Sequence, residues 1–296
     1  MNKNNLPLEI PVIWLQGGGC TGCSVSVLNA VSPTIKNVLV DEVLPGKHVS
    51  LRYHPTVMAG SGEAILKVLD ATNREAPGQY ILVVEGAIST KDDGVYCVVG
   101  EHNGHEQPLV DTVEALAQDA LAVVALGTCA AFGGIPAAPP NPTGCVGLRT
   151  LFDIKGISTP LVNVPGCPPH PDWFVGTLAD LLIRGLPAED DLDAHLRPML
   201  FYGGLVHEHC PRRSYFDEGK FAKKLSDPGC LYEVGCKGPI THADCPTRLW
   251  NGGVNWCIGA GSPCHGCVEP GFPDLGAPLY EKIDDLELPG IGTLAA

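Results

Sequence analysis

The amino-acid sequence predicts an α/β protein in which a doubly wound parallel-sheet domain precedes a loop-rich, cysteine-rich domain. Two observations indicate this architecture. Over roughly the first 185 residues, short apolar runs alternate with segments that have helical periodicity. Beyond Phe201, cysteine, glycine and proline are frequent and periodic apolar segments are rare. That composition is typical of a domain that bound metal, rather than a large hydrophobic core, holds together.

The first domain has five predicted strands and four predicted helices. The apolar runs with strand character are residues 11–16, 49–53, 80–84, 120–126 and 161–164. The segments with helical periodicity are residues 23–30, 62–71, 109–118 and 173–184. This alternation predicts a parallel sheet covered by helices on both faces, although the order of the strands does not follow from the sequence.

A change of composition suggests where the first domain ends. The acidic run Glu189, Asp190 and Asp191 follows Gly185-Leu186-Pro187. We therefore expect one domain at residues 1–186 and a second at residues 187–296. Seven cysteines lie between Phe201 and the end of the chain, and metal binding would supply the cross-links that the second domain needs.

Charge and hydropathy exclude several classes of function. Hydrophobic residues make up 45% of the 296-residue chain and charged residues 18%, as in a globular protein. The 33 acidic residues outnumber 19 lysines and arginines, and a net charge of -14 excludes nucleic acid as an expected partner. The most apolar stretch, residues 121–132, is shorter than the roughly 20 residues of a membrane-spanning helix. We therefore expect no transmembrane segment. Residues 1–7 carry neither a charged leader nor a twin arginine, so we also expect no remaining export signal.

The cysteine content indicates metal binding. The chain has 13 cysteines, an odd number that cannot all pair as disulfides. A secreted disulfide framework is the alternative interpretation. Clustered thiolates are better explained as soft ligands for zinc, copper(I) or iron-sulfur clusters.

Four cysteines follow predicted strands of the first domain. Cys20 and Cys23 come directly after the first strand, Cys129 after the fourth and Cys167 after the fifth. Because ligand sites of open α/β sheets lie at the carboxyl ends of the strands, we expect these thiols to form one site. Glycines beside them would let backbone N-H groups approach the sulfides of a bound cluster.

Other interpretations of this first set remain open. Cys20-Thr-Gly-Cys23 alone fits a redox dithiol or half of a zinc site, and Gly17 to Gly19 alone fits a phosphate-binding loop. The loop lacks both the Lys-Ser/Thr ending and the spaced dinucleotide fingerprint. Structural zinc usually takes ligands from short local knuckles, whereas these cysteines come from three distant strands. A buried four-iron cluster is therefore the favoured interpretation.

The second domain contains two further candidate ligand sets. His207-x-x-Cys210 and Cys230-x5-Cys236 supply one imidazole and three thiolates, although a single histidine is more often an ordinary surface residue. The third set is Cys245, Cys257, Cys264 and Cys267. Three four-iron clusters need twelve protein ligands, and eleven cysteines plus His207 supply them.

Two cysteines are left over from this assignment. They are Cys97 and Cys145, and we interpret both as structural, because free cysteines are commonly small buried hydrophobic residues.

With these motifs the chain resembles the small subunits of nickel-iron hydrogenases, from Ile13 to about Asp274. The marks of the resemblance are Gly19-Cys-Thr-Gly-Cys23, His54-Pro-Thr56, Val84-Glu-Gly-Ala87, Gly127-Thr-Cys129, Pro165-Gly-Cys-Pro-Pro-His-Pro171, Gly235-Cys-Lys-Gly-Pro239 and Cys267-Val-Glu-Pro270. The resemblance implies a flavodoxin-like first domain and a loop-rich iron-sulfur cluster domain.

The resemblance also implies three clusters with distinct positions. The proximal cluster corresponds to Cys20, Cys23, Cys129 and Cys167. The distal cluster corresponds to His207, Cys210, Cys230 and Cys236. The medial cluster corresponds to Cys245, Cys264 and Cys267, to which this chain adds Cys257.

Two departures from the common family pattern are informative. Most nickel-iron members have proline where this chain has Cys257, whereas the nickel-iron-selenium branch has cysteine, which implies a four-iron medial cluster. Residues 23–29 and Ala243-Asp-Cys245 also resemble that branch. Thr21, Gly22 and Gly134 stand where oxygen-tolerant relatives carry extra cysteines, so their unusual proximal cluster is not expected.

The resemblance implies an electron-conducting role in a heterodimer. Hydrogen would be split at a nickel-iron or nickel-iron-selenium site in a separate large subunit. Electrons would enter this chain at the Cys20 cluster, cross the Cys257 cluster and leave by the His207 cluster to a cytochrome or ferredoxin-like acceptor. Glu85 is a candidate for moving protons between subunits, although an acidic residue after a strand is more often solvated or capping. The resemblance places the mature protein in the periplasm, with the cytoplasm as the alternative.

Two other functions fit part of the pattern. The quinone-side cluster protein of respiratory complex I shares the flavodoxin-like domain, but it usually has adjacent cysteines and lacks the second domain. A zinc-bound structural module is the alternative from another class.

Overall fold

A computed structural model describes residues 9–39, 48–283, 287–288 and 292–293. The predicted absence of a leader in residues 1–7 lies outside these ranges. The chain divides into two compact units, Met1–Arg197 and Pro198–Ala296. The domain boundary between residues 186 and 187 stays a prediction. The compact unit continues to Arg197 because the Asn163 side chain donates to the His195 carbonyl and Asp193 pairs with Arg197 at 2.7 Å.

Within the described residues, the strands form one five-stranded parallel sheet and three short antiparallel pairs. They are β1 Glu9–Gln16, β2 His48–Tyr53, β3 Ile81–Glu85, β4 Ile88–Ser89, β5 Val98–His102, β6 His105–Pro108, β7 Ala122–Leu126, β8 Cys145–Val146, β9 Leu161–Val164, β10 Glu287–Leu288 and β11 Gly292–Thr293. The five-stranded sheet has the order β2-β1-β3-β7-β9, and all of its pairs are parallel. The pairs β4-β8, β5-β6 and β10-β11 are antiparallel.

The longer helices belong to the first unit. The α-helices are α1 Gly22–Leu28, α2 Ile35–Leu39, α3 Glu63–Glu75, α4 Leu109–Asp119, α5 Thr128–Phe132, α6 Gly134–Ala137, α7 Leu148–Lys155, α8 Pro171–Arg184, α9 Met199–Tyr202, α10 Arg213–Asp217 and α11 Cys245–Arg248. Short 3-10 helices span Lys91–Gly94, Glu189–Asp191, Leu231–Val234, Gly238–Ile240 and Asp274–Gly276.

The predicted α/β class and the parallel sheet are confirmed. Each of the five predicted strands overlaps a strand of the sheet, and each predicted helix overlaps α1, α3, α4 or α8. Every residue of β3 and β7 is buried, as expected for strands covered on both faces. The strand order is the flavodoxin-like 2-1-3-4-5 order when only the sheet strands are numbered.

The second unit contains little regular structure. Within its described residues, the helices are short and the strands form only the two-residue pair β10-β11. This agrees with the loop-rich domain that the sequence predicts. Throughout the described part of the chain, none of the helices has both the length and the apolar character that a membrane crossing requires.

Candidate metal-cluster sites

The first predicted ligand set lies at the carboxyl edge of the sheet. Cys20 follows β1, Cys23 lies in α1, Cys129 lies in α5 directly after β7, and Cys167 follows β9. Burial raises the pKa of the Cys23 thiol most, and further increases come from charge on Glu85, Cys129, Cys20 and Cys167. Burial, followed by charge on Cys167, raises the pKa of Cys129 to about 11. The fold thus brings four thiols from three distant parts of the sequence within electrostatic range of one another.

Two glycines leave space beside these sulfur atoms. Gly127 has a φ of 88°, and a Cβ there would lie only 2.4 Å from the Cys23 Sγ. Gly134 has a φ of 50°, and a Cβ there would lie 3.1 Å from the Cys129 Sγ. Positive φ and close approach both favour glycine. The two positions therefore form part of a cradle that a larger side chain would fill.

Glu85 is a buried acceptor beneath the first ligand set. It lies at the end of β3 and is 3% exposed. Its Oε1 accepts the backbone N-H groups of Cys23 at 3.0 Å and Ser24 at 3.1 Å. Its Oε2 accepts the Trp14 indole at 3.1 Å, the Gln16 amide at 3.1 Å and the Ser24 hydroxyl. The carboxylate therefore caps the start of α1 from inside the protein rather than from solvent.

His54 extends this network. Its Nδ1 accepts the Thr56 backbone N-H at 3.2 Å, so a neutral ring carries its proton on Nε2, which lies 3.3 Å from the Ser24 hydroxyl oxygen. Burial lowers the pKa of His54, while Glu85 opposes that shift. A hydrogen-bonded chain from His54 through Ser24 to Glu85 therefore reaches the backbone of a predicted ligand.

The four residues of the second predicted set line one cavity. His207, Cys210, Cys230 and Cys236 all contribute to its wall. The Arg212 backbone N-H donates to the Cys210 Sγ at 3.4 Å. Such N-H donors stabilise negative charge on sulfur and are among the groups that tune iron-sulfur clusters.

The His207 side chain has the properties of a ligand. It is 7% exposed, and its Nε2 is buried without a hydrogen-bond partner. Phe216 packs edge-on against the imidazole, with ring centroids 4.5 Å apart. Burial lowers the pKa of His207, and Arg213 lowers it further. Both effects favour the neutral ring, which is the form that binds metals.

The thiols of the third predicted set, like those of the first, lie within electrostatic range of one another. Burial raises the pKa of the Cys245 thiol most, and further increases come from charge on Cys267, Cys264 and Cys257. Burial, followed by charge on Cys236, raises the pKa of Cys264 to about 12. The Cys264 backbone N-H also donates to the Cys236 Sγ at 3.4 Å. One predicted medial ligand therefore contacts one predicted distal ligand directly.

The donor sets fit the clusters that the sequence implies. Eleven thiols and one imidazole are donors of the kind that iron-sulfur clusters use. The buried Nε2 of His207 and the glycine cradle around Cys23 are the structural observations that match such a group. Among the residues described, no three His, Cys, Asp or Glu side chains lie close enough to hold one metal ion.

The two remaining cysteines have protein neighbours. Cys145 is buried, and its Sγ lies 3.2 Å from the Thr143 hydroxyl. Cys97 packs against the core of the first unit, and burial, followed by charge on Cys145, raises its pKa. Their structural role stays a prediction.

Sequence reasoning assigned no role to three residues beside these sites. Ser24, His54 and Lys237 lie in motifs that carried the family resemblance, but their partners are distant in sequence. Ser24, for example, reaches Glu85 across 61 positions. The only signal in the sequence was that these residues stand inside segments that carried the family resemblance.

A flavodoxin-like unit with cysteines at the carboxyl edge of its sheet, joined to a loop-rich cysteine unit, defines an iron-sulfur electron-transfer subunit. The family model for the C-terminal part of the NiFe/NiFeSe hydrogenase small subunit matches residues 202–280. The model described as NADH ubiquinone oxidoreductase, 20 Kd subunit, matches residues 20–181. The second match reflects the flavodoxin-like first domain, which the quinone-side cluster protein of respiratory complex I shares.

Relatives that span both units belong to one family. The periplasmic [NiFeSe] hydrogenase small subunit of Desulfomicrobium baculatum is 49% identical over 281 residues, which cover 92% of this chain and 87% of the relative. The hydrogenase-2 small chain of Escherichia coli K12 is 41% identical over 273 residues, covering 90% and 68%. A crystal structure of the reduced, active D. baculatum Ni-Fe-Se hydrogenase gives a TM-score of 0.87 at 48% identity, covering 93% of this chain and 100% of that one.

This chain therefore belongs to the small-subunit family of nickel-iron and nickel-iron-selenium hydrogenases. The predicted role as the electron-transferring small subunit of a hydrogenase is confirmed. Members of this family carry iron-sulfur clusters, and a small subunit implies a large-subunit partner. The relatives from D. baculatum and Solidesulfovibrio fructosivorans are small subunits of periplasmic hydrogenases.

Proposed function

We propose that the chain relays electrons through three four-iron clusters between a large-subunit nickel-iron or nickel-iron-selenium site and an external acceptor. The acceptor is a cytochrome or a ferredoxin-like protein, and the mature heterodimer is periplasmic. When bound, the clusters supply one-electron redox chemistry. The residues of this chain hold them, shield them from water and set their potentials.

Twelve residues are the proposed ligands. The proximal set is Cys20, Cys23, Cys129 and Cys167. The medial set is Cys245, Cys257, Cys264 and Cys267. The distal set is His207, Cys210, Cys230 and Cys236.

The observation that carries this proposal is the buried, unpartnered Nε2 of His207 in a cavity lined by three thiols. A buried polar atom without a partner costs about 1 to 3 kcal/mol, and binding to iron would remove that cost. The neutral imidazole also removes one negative charge relative to a fourth thiolate, which favours reduction of the bound cluster. That property suits the last carrier before an external acceptor.

Cys257 makes the medial set a four-thiolate set. It is an exposed residue next to the buried Trp256, and its charge bears on Cys245 and Cys264. Four protein ligands support a four-iron cluster, whereas the loss of Cys257 would leave ligands for three irons.

Glu85 is proposed to contribute to proton movement between the subunits. Its carboxylate accepts the Ser24 hydroxyl, which in turn lies next to His54 Nε2. Buried groups in a continuous hydrogen-bonded chain can pass protons without opening the protein to water.

Iron, acid-labile sulfide and zinc analysis of the anaerobically purified heterodimer tests the cluster assignment. We expect about twelve cluster iron atoms, in addition to the iron of the large-subunit site, and no stoichiometric zinc. Cys210→Ala should lower the iron content or alter the cluster signals, whereas the matched Cys97→Ala variant should keep both. About four iron atoms, or zinc in place of iron, would contradict the relay and favour a single cluster or a zinc-bound structural module.

A further inference from the structure

Lys237 is a buried lysine between two of the proposed cluster sites. It directly follows the distal ligand Cys236, and its backbone N-H donates to the carbonyl oxygen of the medial ligand Cys264 at 2.7 Å. The residue is only 2% exposed. Lysine is rarely buried to this extent unless its charge is paired. The burial of the Lys237 side chain therefore indicates a role beyond packing.

The Lys237 amine is held by neutral acceptors. Its Nζ donates to the Glu281 carbonyl oxygen at 2.6 Å and lies 3.4 Å from the Pro278 carbonyl oxygen. The Cε packs beside Gly276, where an added Cβ would lie 3.8 Å away. Carbonyl groups orient an ammonium without cancelling its charge. The two carbonyl groups therefore fix the position of the Lys237 amine.

The charge of Lys237 is coupled to one ligand from each set. Lys237 adjoins Cys236 in the chain and is hydrogen-bonded through its backbone to Cys264, so a positive charge on its side chain favours negative charge on both nearby sulfur atoms. The two sulfur-bearing residues are also linked directly, since the Cys264 N-H donates to the Cys236 Sγ at 3.4 Å.

We propose that the Lys237 ammonium is a fixed positive charge that raises the reduction potentials of the medial and distal clusters together. Each reduction adds one electron, and hence one negative charge, to a cluster and its thiolates. A nearby cation stabilises the reduced form more than the oxidised form. Lys237 is thus a positioning and tuning residue of the electron path, and the inference rests on the ligand sets proposed above.

Charge-removing variants of Lys237 test this role in the purified heterodimer. Lys237→Gln and Lys237→Met remove the charge, Lys237→Arg retains it, and Lys220→Gln removes an exposed lysine charge that is paired with Glu218. Redox titration at one near-neutral pH, followed by electron paramagnetic resonance, measures each cluster. We expect the reduced-to-oxidised ratio of both clusters to fall about tenfold at fixed potential in the two neutral variants, a one-electron shift of about 59 mV. The Arg variant and the Lys220 control should remain within about twofold of the parent.

A second pair of variants leaves Lys237 in place. Gly276→Asp puts a carboxylate next to the Lys237 Cε, whereas Gly276→Asn is its neutral match at the same site. The Asp variant should lower both potentials in the same direction as Lys237→Gln, and the Asn variant should not. This pair decides the question if the neutral Lys237 variants assemble poorly.

The outcomes separate this inference from the proposed function. Unchanged medial and distal potentials in Lys237→Gln and in Gly276→Asp, with full iron content, would overturn the role of Lys237 alone. A parent protein that lacks the two clusters would instead overturn the proposed function. Equal shifts in the Asp and Asn variants would show that local structure, rather than charge, sets the potentials, and would overturn the role of the ammonium.

Discussion

Replacement of Glu85 by glutamine should destabilise the first unit, because it turns one acceptor oxygen into a donor. Oε1 accepts two backbone N-H groups, from Cys23 and Ser24. Oε2 accepts the N-H groups of Trp14 and Gln16 in addition to the Ser24 hydroxyl. Whichever way the glutamine amide is turned, its nitrogen faces at least two N-H donors that lose their acceptor.

The expected size follows from these two donors. A buried donor without a partner costs about 1 to 3 kcal/mol, which gives about 2 to 6 kcal/mol for the pair. In a unit of this size, 1 kcal/mol lowers Tm by about 2 to 4 °C, so the expected shift is on the order of 10 °C.

The assay is thermal unfolding of the purified heterodimer at one scan rate, followed by circular dichroism. Glu114→Gln is the matched control, because Glu114 pairs with Lys155 at 2.6 Å with both side chains about one-third exposed. A pair of that kind contributes about 0 to 1 kcal/mol. A Tm shift for Glu85→Gln no larger than that of the control would refute the argument that the buried network stabilises the unit.

Three further predictions follow from the sites. Cys257→Pro should leave three thiolates in the medial set and give a paramagnetic three-iron signal in the oxidised protein, and an unchanged set of four-iron signals would remove Cys257 from the ligands. His207→Ala should slow the reduction of external dyes while hydrogen-deuterium exchange at the large subunit persists; loss of both activities with the other clusters intact would contradict an exit role. Burial lowers the pKa of His54 below 6.5, so the unfolded state binds more protons between the lowered value and 6.5. Stability should therefore be lost as pH falls through that window. His54→Gln should flatten the dependence of Tm on pH below about pH 6.5, and an unchanged slope would count against this account.

The sequence predicted the sheet well because buried parallel strands leave a local signal. Every residue of β3 and β7 is buried, so each strand is a contiguous apolar run in the sequence. The two-residue pair β4-β8 has no such signal, because Ser89 meets Cys145 only through the tertiary fold. The helix α7 was also missed, although Leu148, Leu151 and Phe152 are its buried residues and have helical spacing. The glycines and prolines that precede it masked the pattern.

The ligand groups could be predicted for a related reason, but their surroundings could not. Because Cys20, Cys129 and Cys167 each follow a parallel strand, the topology alone brings them to one edge. The environment of Glu85 depends instead on contacts 61 to 71 positions away in sequence. Sequence reasoning therefore left solvation, capping and proton transfer open for Glu85, whereas the structure shows a buried cap.

The two units position their thiols by different physical means, and this difference predicts how each tolerates change. In the first unit a hydrogen-bonded sheet fixes the ends of β1, β7 and β9. The positions of Cys20, Cys129 and Cys167 are therefore set by a hydrophobic core that does not include these cysteines. In the second unit short turns carry the ligands, and Cys264 donates directly to the sulfur of Cys236. Displacement of Cys264 therefore disturbs the distal set as well as its own. Lys237 follows Cys236, and its backbone N-H donates to the Cys264 carbonyl oxygen. The same short segment therefore carries the lysine charge and holds the medial and distal sets at a fixed spacing.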